Sequence, residues 1–286
     1  MAEPTYLERA DTRVAVYIDF DNIVISRYDQ KSKRGQFHKD EVRKFDPASG
    51  SGGDVARRLN DATVDLGAVL DFASSFGTIA VSRAYADWSV PVNASYRSQL
   101  IERAVDLVQL FPTVQSMKNG ADIRLAVDVV EDLFRLSDLT HVVIVAGDSD
   151  YIALAQRCKQ LGRYVVGIGV AGATSKALAA ACNEFKDYDA LPGVTAPSEP
   201  APKRSSPPKN TASDLLVRAL QLGQSKTDDE WQSSGTVKNQ MLRMDPTFQE
   251  RALGFRSFSD FVKSLDALVE LDESQSSRPM RLRPKG

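Results

Sequence analysis

The chain has 286 residues, 42% apolar and 26% charged, with a formal net charge of −2. That length suits one large domain or two modest ones, and the composition is that of an ordinary soluble protein with no global basic signal for nucleic acid. Two cysteines, Cys158 and Cys182, and two histidines, His38 and His141, without CxxC or HxxxH spacing, argue against a zinc site.

The segment MAEPTYLERADTR lacks the apolar centre of a signal peptide. No apolar run approaches the ~20 residues of a membrane span. The expectation is a cytoplasmic protein with reduced thiols and no membrane partner. The first predicted element is a strand at 14–18, Val-Ala-Val-Tyr-Ile, which stops at Asp19. Residues 28–53 are charged and then Gly/Ser-rich, and are read as an inserted flexible loop. A helix at 60–75 is followed by a strand at 78–85, a helix at 93–109 and a short strand at 112–117. A helix at 121–135 precedes a strand at 141–146. A helix at 151–161 then stops at Gly162, a C-cap residue. A strand at 163–169 and a helix at 174–182 complete the alternation. Strands alternating with helices predict an α/β fold, a parallel sheet flanked by helical layers.

Six of the 13 prolines fall between 192 and 212, which predicts an extended linker. The expected domains are therefore 1–191 and 213–286, joined by 192–212. Acidic residues outnumber basic ones before residue 203, and the reverse holds from there on. The second domain predicts helices near 212–222 and 235–244, a short one after Asp245-Pro246, and another at 257–266. Two strands follow, at 268–271 and 280–282. Helices with a terminal hairpin suggest a winged helix-turn-helix. Phe255, Phe258 and Phe261 are read there as core.

Three acidic clusters fall where strands or helices end: Asp19-Phe20-Asp21-Asn22, Gly120-Ala121-Asp122 and Gly147-Asp148-Ser149-Asp150. Carboxylates gathered at the carboxyl edge of a parallel sheet repel one another unless a cation holds them. A hard cation such as Mg²⁺ or Mn²⁺ takes oxygen ligands and leaves positions open for phosphate oxygens. Asp19, Asp122 and Asp148 are the candidate metal and catalytic residues. Asn22, Asp150, Asp21 and Lys118 are candidate neighbours for water, phosphate or a ligand carboxylate. Arg83 and Trp88 are candidate backbone and base contacts, with a salt bridge and packing as the competing reading. Asp128 is read as a structural partner of Arg124 or Arg135.

Four motifs recur in order: Val-Ala-Val-Tyr-Ile-Asp-Phe-Asp-Asn at 14–22, Arg-Ala-Tyr-Ala-Asp-Trp at 83–88, Lys-Asn-Gly-Ala-Asp-Ile-Arg-Leu-Ala-Val-Asp at 118–128, and Val-Ile-Val-Ala-Gly-Asp-Ser-Asp-Tyr at 143–151. With Val-Gly-Ile-Gly-Val at 166–170 and Thr174-Ser175, this series resembles the NYN domain of the PIN-like nucleases. The resemblance implies a PIN-like Rossmannoid fold, Mg²⁺ or Mn²⁺ in an acidic pocket, and endonucleolytic cleavage of RNA. It maps the metal aspartates onto Asp19, Asp122 and Asp148, with Asn22 and Asp150 nearby. Thr174 and Ser175 join Arg83 and Trp88 as candidate RNA contacts. The stretch with Trp231, Phe255-Arg256-Ser257-Phe258 and Leu268-Val269 resembles a LOTUS (OST-HTH) domain. That resemblance implies RNA or protein binding, with single-stranded or structured RNA as the partner; a homodimer is left open.

Two other readings compete. One is a non-catalytic RNA-binding regulator with a degenerate pocket. The other is a haloacid-dehalogenase-type phosphatase, suggested by Asp19-Phe20-Asp21; the two-residue step from Asp148 to Asp150 and the lack of a Thr or Val after the first pair count against it.

Overall fold

A computed structural model of the chain describes residues 12–47, 53–111, 120–194, 212–227 and 229–284. The chain divides into two compact units, Met1–Val69 with Phe76–Leu191, and Leu70–Ser75 with Pro192–Gly286. The first unit is built on a sheet of six parallel strands: β1 (Arg13–Asp19), β2 (Thr78–Ala86), β3 (Asp106–Gln109), β4 (His141–Val145), β5 (Tyr164–Gly169) and β6 (Glu184–Asp187), in the order β3-β2-β1-β4-β5-β6. Val14 to Ile18 and Val142 to Val145 are buried on both faces of the sheet. Such runs are continuously apolar because helices cover each face of a parallel sheet. The chain order reverses direction between β1 and β4, so a crevice opens at their carboxyl ends.

The intervening helices are α1 (Phe20–Lys31), α2 (Gln36–Lys39), α3 (Asp54–Asp61), α4 (Leu66–Ser74), α5 (Pro91–Ala94), α6 (Arg97–Glu102), α7 (Gly120–Arg135), α8 (Ile152–Gln160) and α9 (Lys176–Ala181). Of these, α7 carries Leu125, Val129 and Leu133 on one stripe, buried against Tyr17, Val142 and Ile144. Asp122 precedes Leu125 by three residues and lies on the same stripe, which turns it toward the sheet. Gly162, at φ +77°, follows the end of α8, and its N–H donates to the Lys159 carbonyl.

The structure corrects several sequence expectations. The segment read as a flexible insert from residue 28 is ordered through residue 47. There Phe37 and Val42 are buried, and Asp29 accepts hydrogen bonds from the backbone N–H groups of Gly35 and Phe37; residues 48–52 lie outside the described residues. The helix expected over 60–75 is broken, because Asp65 caps a new helix by accepting from Ala68 N at 3.1 Å. The helix expected to run to 109 ends at Glu102. Ala104 turns the chain at φ +54° and β3 begins at Asp106. The strand expected at 112–117 falls outside the described residues. A sixth strand, β6, was not expected.

The second unit contains α10 (Ala212–Gln224), α11 (Ser234–Met244) and α12 (Phe258–Lys263), with an antiparallel pair β7 (Val269–Leu271) and β8 (Met280–Leu282). Its core includes Leu216, Leu220, Val237, Met241, Phe261 and Met280. Phe258 and Phe261 are buried and pack together with ring centroids 6.0 Å apart, as expected of core side chains. In place of the short helix expected after Asp245-Pro246 there is a turn. The Asp245 carboxylate accepts from Thr247 N–H and hydroxyl at 2.9 and 2.6 Å, competing locally with helix formation. Among the described residues no helix is long and apolar enough to cross a membrane.

Candidate metal centre

Asp19 is the last residue of β1 and the N-cap of α1, so one carboxylate serves two elements. It is 3% exposed. Its Oδ1 accepts from Asn22 N–H at 3.1 Å and its Oδ2 accepts from the Tyr151 hydroxyl at 2.8 Å. Burial pushes its acid up to about 7, against the opposing pull of those two hydrogen bonds; the charges of Asp122 and Asp21 push the same way as burial. Asp122, half-buried in the first turn of α7, lies beside the same Tyr151 hydroxyl. Its acid is also raised, first by burial and then by the nearby charges of Asp148 and Asp150. Tyr151 is 1% exposed; burial and the two carboxylates raise its phenol far above the ordinary value, so it stays a donor.

The rim is formed by the loop after β4. Asp148 is exposed, and its Oδ1 accepts from Asp150 N–H at 3.4 Å and from the Ser149 hydroxyl at 3.3 Å. Asn22 holds this loop in place: its Oδ1 accepts from the buried Gly147 N–H at 3.0 Å. The Gly147 carbonyl in turn accepts from Ser175 N–H at 2.9 Å. Thr174 donates its hydroxyl to the Val170 carbonyl, folding the segment after β5 back on itself. Asn22, read either as a contact for water or phosphate or as a cap of the following segment, instead gives its side-chain oxygen to the Gly147 backbone. Asn22→Ala should therefore lower unfolding free energy by about 1–2 kcal/mol, by stranding a buried N–H, with the loss read by urea denaturation. A loss of a few tenths or less would deny it that role.

The remaining candidates separate. Asp21 turns away from Asp19, accepting from Asn93 Nδ2 at 2.8 Å and pairing with Arg43 at 3.4 Å. Arg83 is engaged in an ion pair with Asp132. Of the two readings of Trp88, base stacking and packing, the structure meets the second: it is 3% exposed. Its indole N–H donates to the Val108 carbonyl at 3.0 Å, and its ring packs on Phe20 at 5.0 Å. That aromatic surface is spent on the core. Asp128 pairs with Arg124 at 2.9 Å and accepts from the Tyr85 hydroxyl at 3.0 Å. Lys118 lies outside the described residues. Tyr151 was the residue sequence reading passed over. Its signal was an aromatic placed directly after Asp148-Ser149-Asp150, at the entry to a helix.

Sequence reading placed Asp19, Asp122 and Asp148 around one cation. The structure brings Asp19 and Asp122 to the same buried Tyr151, whose hydroxyl donates to Asp19, and leaves Asp148 on the rim. Among the described residues no three acid, imidazole or thiol groups converge closely enough to close a chelate around one ion. The donor set still fits a hydrated hard cation. Such an ion needs one or two carboxylates and keeps several waters, and the carboxylates here repel one another without it.

Residues 13–189 match the NYN domain, and residues 205–281 match the OST-HTH/LOTUS domain. No curated protein matches the chain. Among solved structures, a protein of unknown function from Vibrio parahaemolyticus is similar at 17% identity, over 64% of this chain and 96% of its own, with a TM-score of 0.43. With its PIN-like parallel sheet and more than half its length matched, the chain belongs to the NYN domain family and carries an OST-HTH/LOTUS domain after it.

Proposed function

We propose that the NYN unit is a divalent-metal-dependent endoribonuclease and that the OST-HTH domain binds its RNA. The observation that carries this is the pair Asp19 and Asp122 beside one buried hydroxyl, which donates to Asp19, at the sheet's switch point, with Asp148 and Asp150 on the rim. Asp19 and Asp122 would hold Mg²⁺ or Mn²⁺, with Asp148 beside them. The bound ion supplies a Lewis acid for phosphoryl oxygens and an acidified water. Tyr151 keeps its proton, orients the Asp19 carboxylate by donating to it, and stands beside Asp122. Asn22 fixes the Gly147 turn, and with it the position of Asp148. Asp148 or Asp150, exposed on the rim, would take up the proton that an attacking water gives up. Covalent attachment of the second domain raises the local concentration of RNA.

The test is cleavage of single-stranded RNA in Mn²⁺ by the full chain and by Asp148→Asn. The variant should keep its fold and lose strand scission. Unchanged turnover would refute the role of Asp148, and RNA binding without scission by the wild type would favour the regulator reading. A second expected result concerns the cation alone. Metal binding requires ionised carboxylates, and Asp19 ionises only near pH 7. Mn²⁺ should therefore raise Tm by several degrees at about pH 8 and by little at about pH 5.5. A shift of equal size at both would separate metal binding from Asp19.

A further inference from the structure

A cavity of about 480 Å³ opens on the second unit, between the amino end of α11, the start of α12 and the segment before β8. Six serines line it with Lys238 and Arg278, and none of its lining residues is a carboxylate. The Lys238 ammonium lies 2.6 Å from Glu250 and 5.7 Å from the Phe258 ring centroid, which fixes it at the wall. Arg278 has φ +44°, a left-handed conformation that a residue with a side chain adopts at a cost. That conformation is pinned twice: the Ser234 hydroxyl donates to the Arg278 carbonyl at 2.5 Å, and the guanidinium donates to Ser259 Oγ at 3.0 Å. A guanidinium has five N–H donors, so one bond to Ser259 leaves capacity for an oxyanion. A fixed guanidinium held only by a serine hydroxyl, a lysine whose charge Glu250 partly offsets, and many hydroxyls match a group with several anionic oxygens.

We propose that this cavity takes a backbone phosphate of RNA. The choice of RNA rests on the functional reading above; the phosphate chemistry rests on the cavity alone. The eleven-residue helix α11 adds the positive end of its dipole to the two cations.

Gly235 gives a test that does not depend on breaking the fold. A Cβ added there meets nothing within 4 Å. Gly235→Asp places a carboxylate at the cavity wall, in the first turn of a helix, where an acidic residue favours folding. Gly235→Ala is the neutral control. Binding of a fluorescent single-stranded RNA to the full chain is measured by anisotropy in EDTA, across a salt series. Thermal protection by inorganic phosphate is measured alongside. Gly235→Asp should weaken RNA binding about tenfold and lower the salt slope by about one, the loss of one phosphate contact. Gly235→Ala should leave both as in the wild type. RNA affinity and salt slope unchanged in Gly235→Asp overturn the proposal, as does a wild type that does not bind RNA in EDTA. Phosphate protection lost in Gly235→Asp while RNA binding persists makes free phosphate the occupant and overturns the assignment to RNA. Cleavage in Mn²⁺ is scored separately. RNA binding that responds to Gly235→Asp, with no scission by the wild type, would leave this site standing and remove the nuclease.

Discussion

Asp19→Asn should abolish RNA cleavage and at the same time raise the thermal stability of the metal-free protein above pH 7. The loss of activity is expected on the order of 10²–10³-fold, the scale for removing one electrostatic contact to a transition state. The gain in stability follows from burial. The Asp19 acid is raised to about 7, from an ordinary value of 3.8. Between those values the folded state binds the proton and the unfolded state has released it, so stability falls as pH rises through this window. Above about 7 the folded protein carries a buried charge that no cation offsets. Asn removes that charge and keeps an oxygen for the Asn22 N–H, while its amide group faces the Tyr151 hydroxyl. A difference of ~2–4 kcal/mol at pH 8, or about 5–10 °C in Tm, is expected in EDTA, shrinking as pH falls from about 7 toward 3.8, the window in which the folded wild type holds the proton. Added Mn²⁺ should reverse the order by stabilising the wild type alone. A variant less stable than wild type at pH 8 in EDTA would show that Asp19 is a structural carboxylate and would remove it from the metal centre.

The same burial explains what the sequence could show of this site. β1 and β4 are readable because each is covered on both faces, and so is written as an unbroken apolar run ending at Asp19 or just before Gly147-Asp148. The inward stripe of α7 is equally plain, and it carried Asp122 with it. The edge strands are not readable. β6 is Glu-Phe-Lys-Asp and β3 is Asp-Leu-Val-Gln, each short and pairing with one neighbour only. α1 is hidden for another reason. Its buried face includes Arg27, whose charge interrupts the apolar pattern; Arg27 is buried because it pairs with Asp189, 162 residues away. No periodicity can report a partner that distant. Tyr151 belongs to the same class. Its ring reads as core, and only the fold places its hydroxyl between two carboxylates. Gly235 and Arg278 are silent in sequence because their cavity is assembled from segments more than forty residues apart.

Asp132→Ala should lower the stability of the NYN unit by about 2–3 kcal/mol, the scale for leaving a buried hydroxyl and a partly buried cation without their acceptor. Asp132, on α7, is 3% exposed and takes three donors. The Tyr17 hydroxyl on β1 donates to its Oδ2 at 2.8 Å, and both terminal nitrogens of Arg83 on β2 donate to the carboxylate, Nη2 to Oδ1 at 3.3 Å. Burial first, and then the Asp132 charge, raise the Tyr17 phenol well above its ordinary value, so it remains a donor. One carboxylate therefore ties two neighbouring strands to the helix that carries Asp122. Its removal leaves the buried Tyr17 hydroxyl and the partly exposed Arg83 guanidinium without their shared acceptor, which costs more than the pair contributes net. Asp132→Leu combined with Arg83→Met, which removes both charges, should recover most of the loss. This cycle also separates the two roles considered for Arg83. As a structural cation, Arg83→Ala lowers stability and leaves the salt dependence of RNA binding unchanged; as a phosphate contact it would lower the salt slope by about one. Urea denaturation of Asp132→Ala showing a loss below about 1 kcal/mol would dissolve the argument, since a carboxylate so deeply placed cannot be both well paired and dispensable.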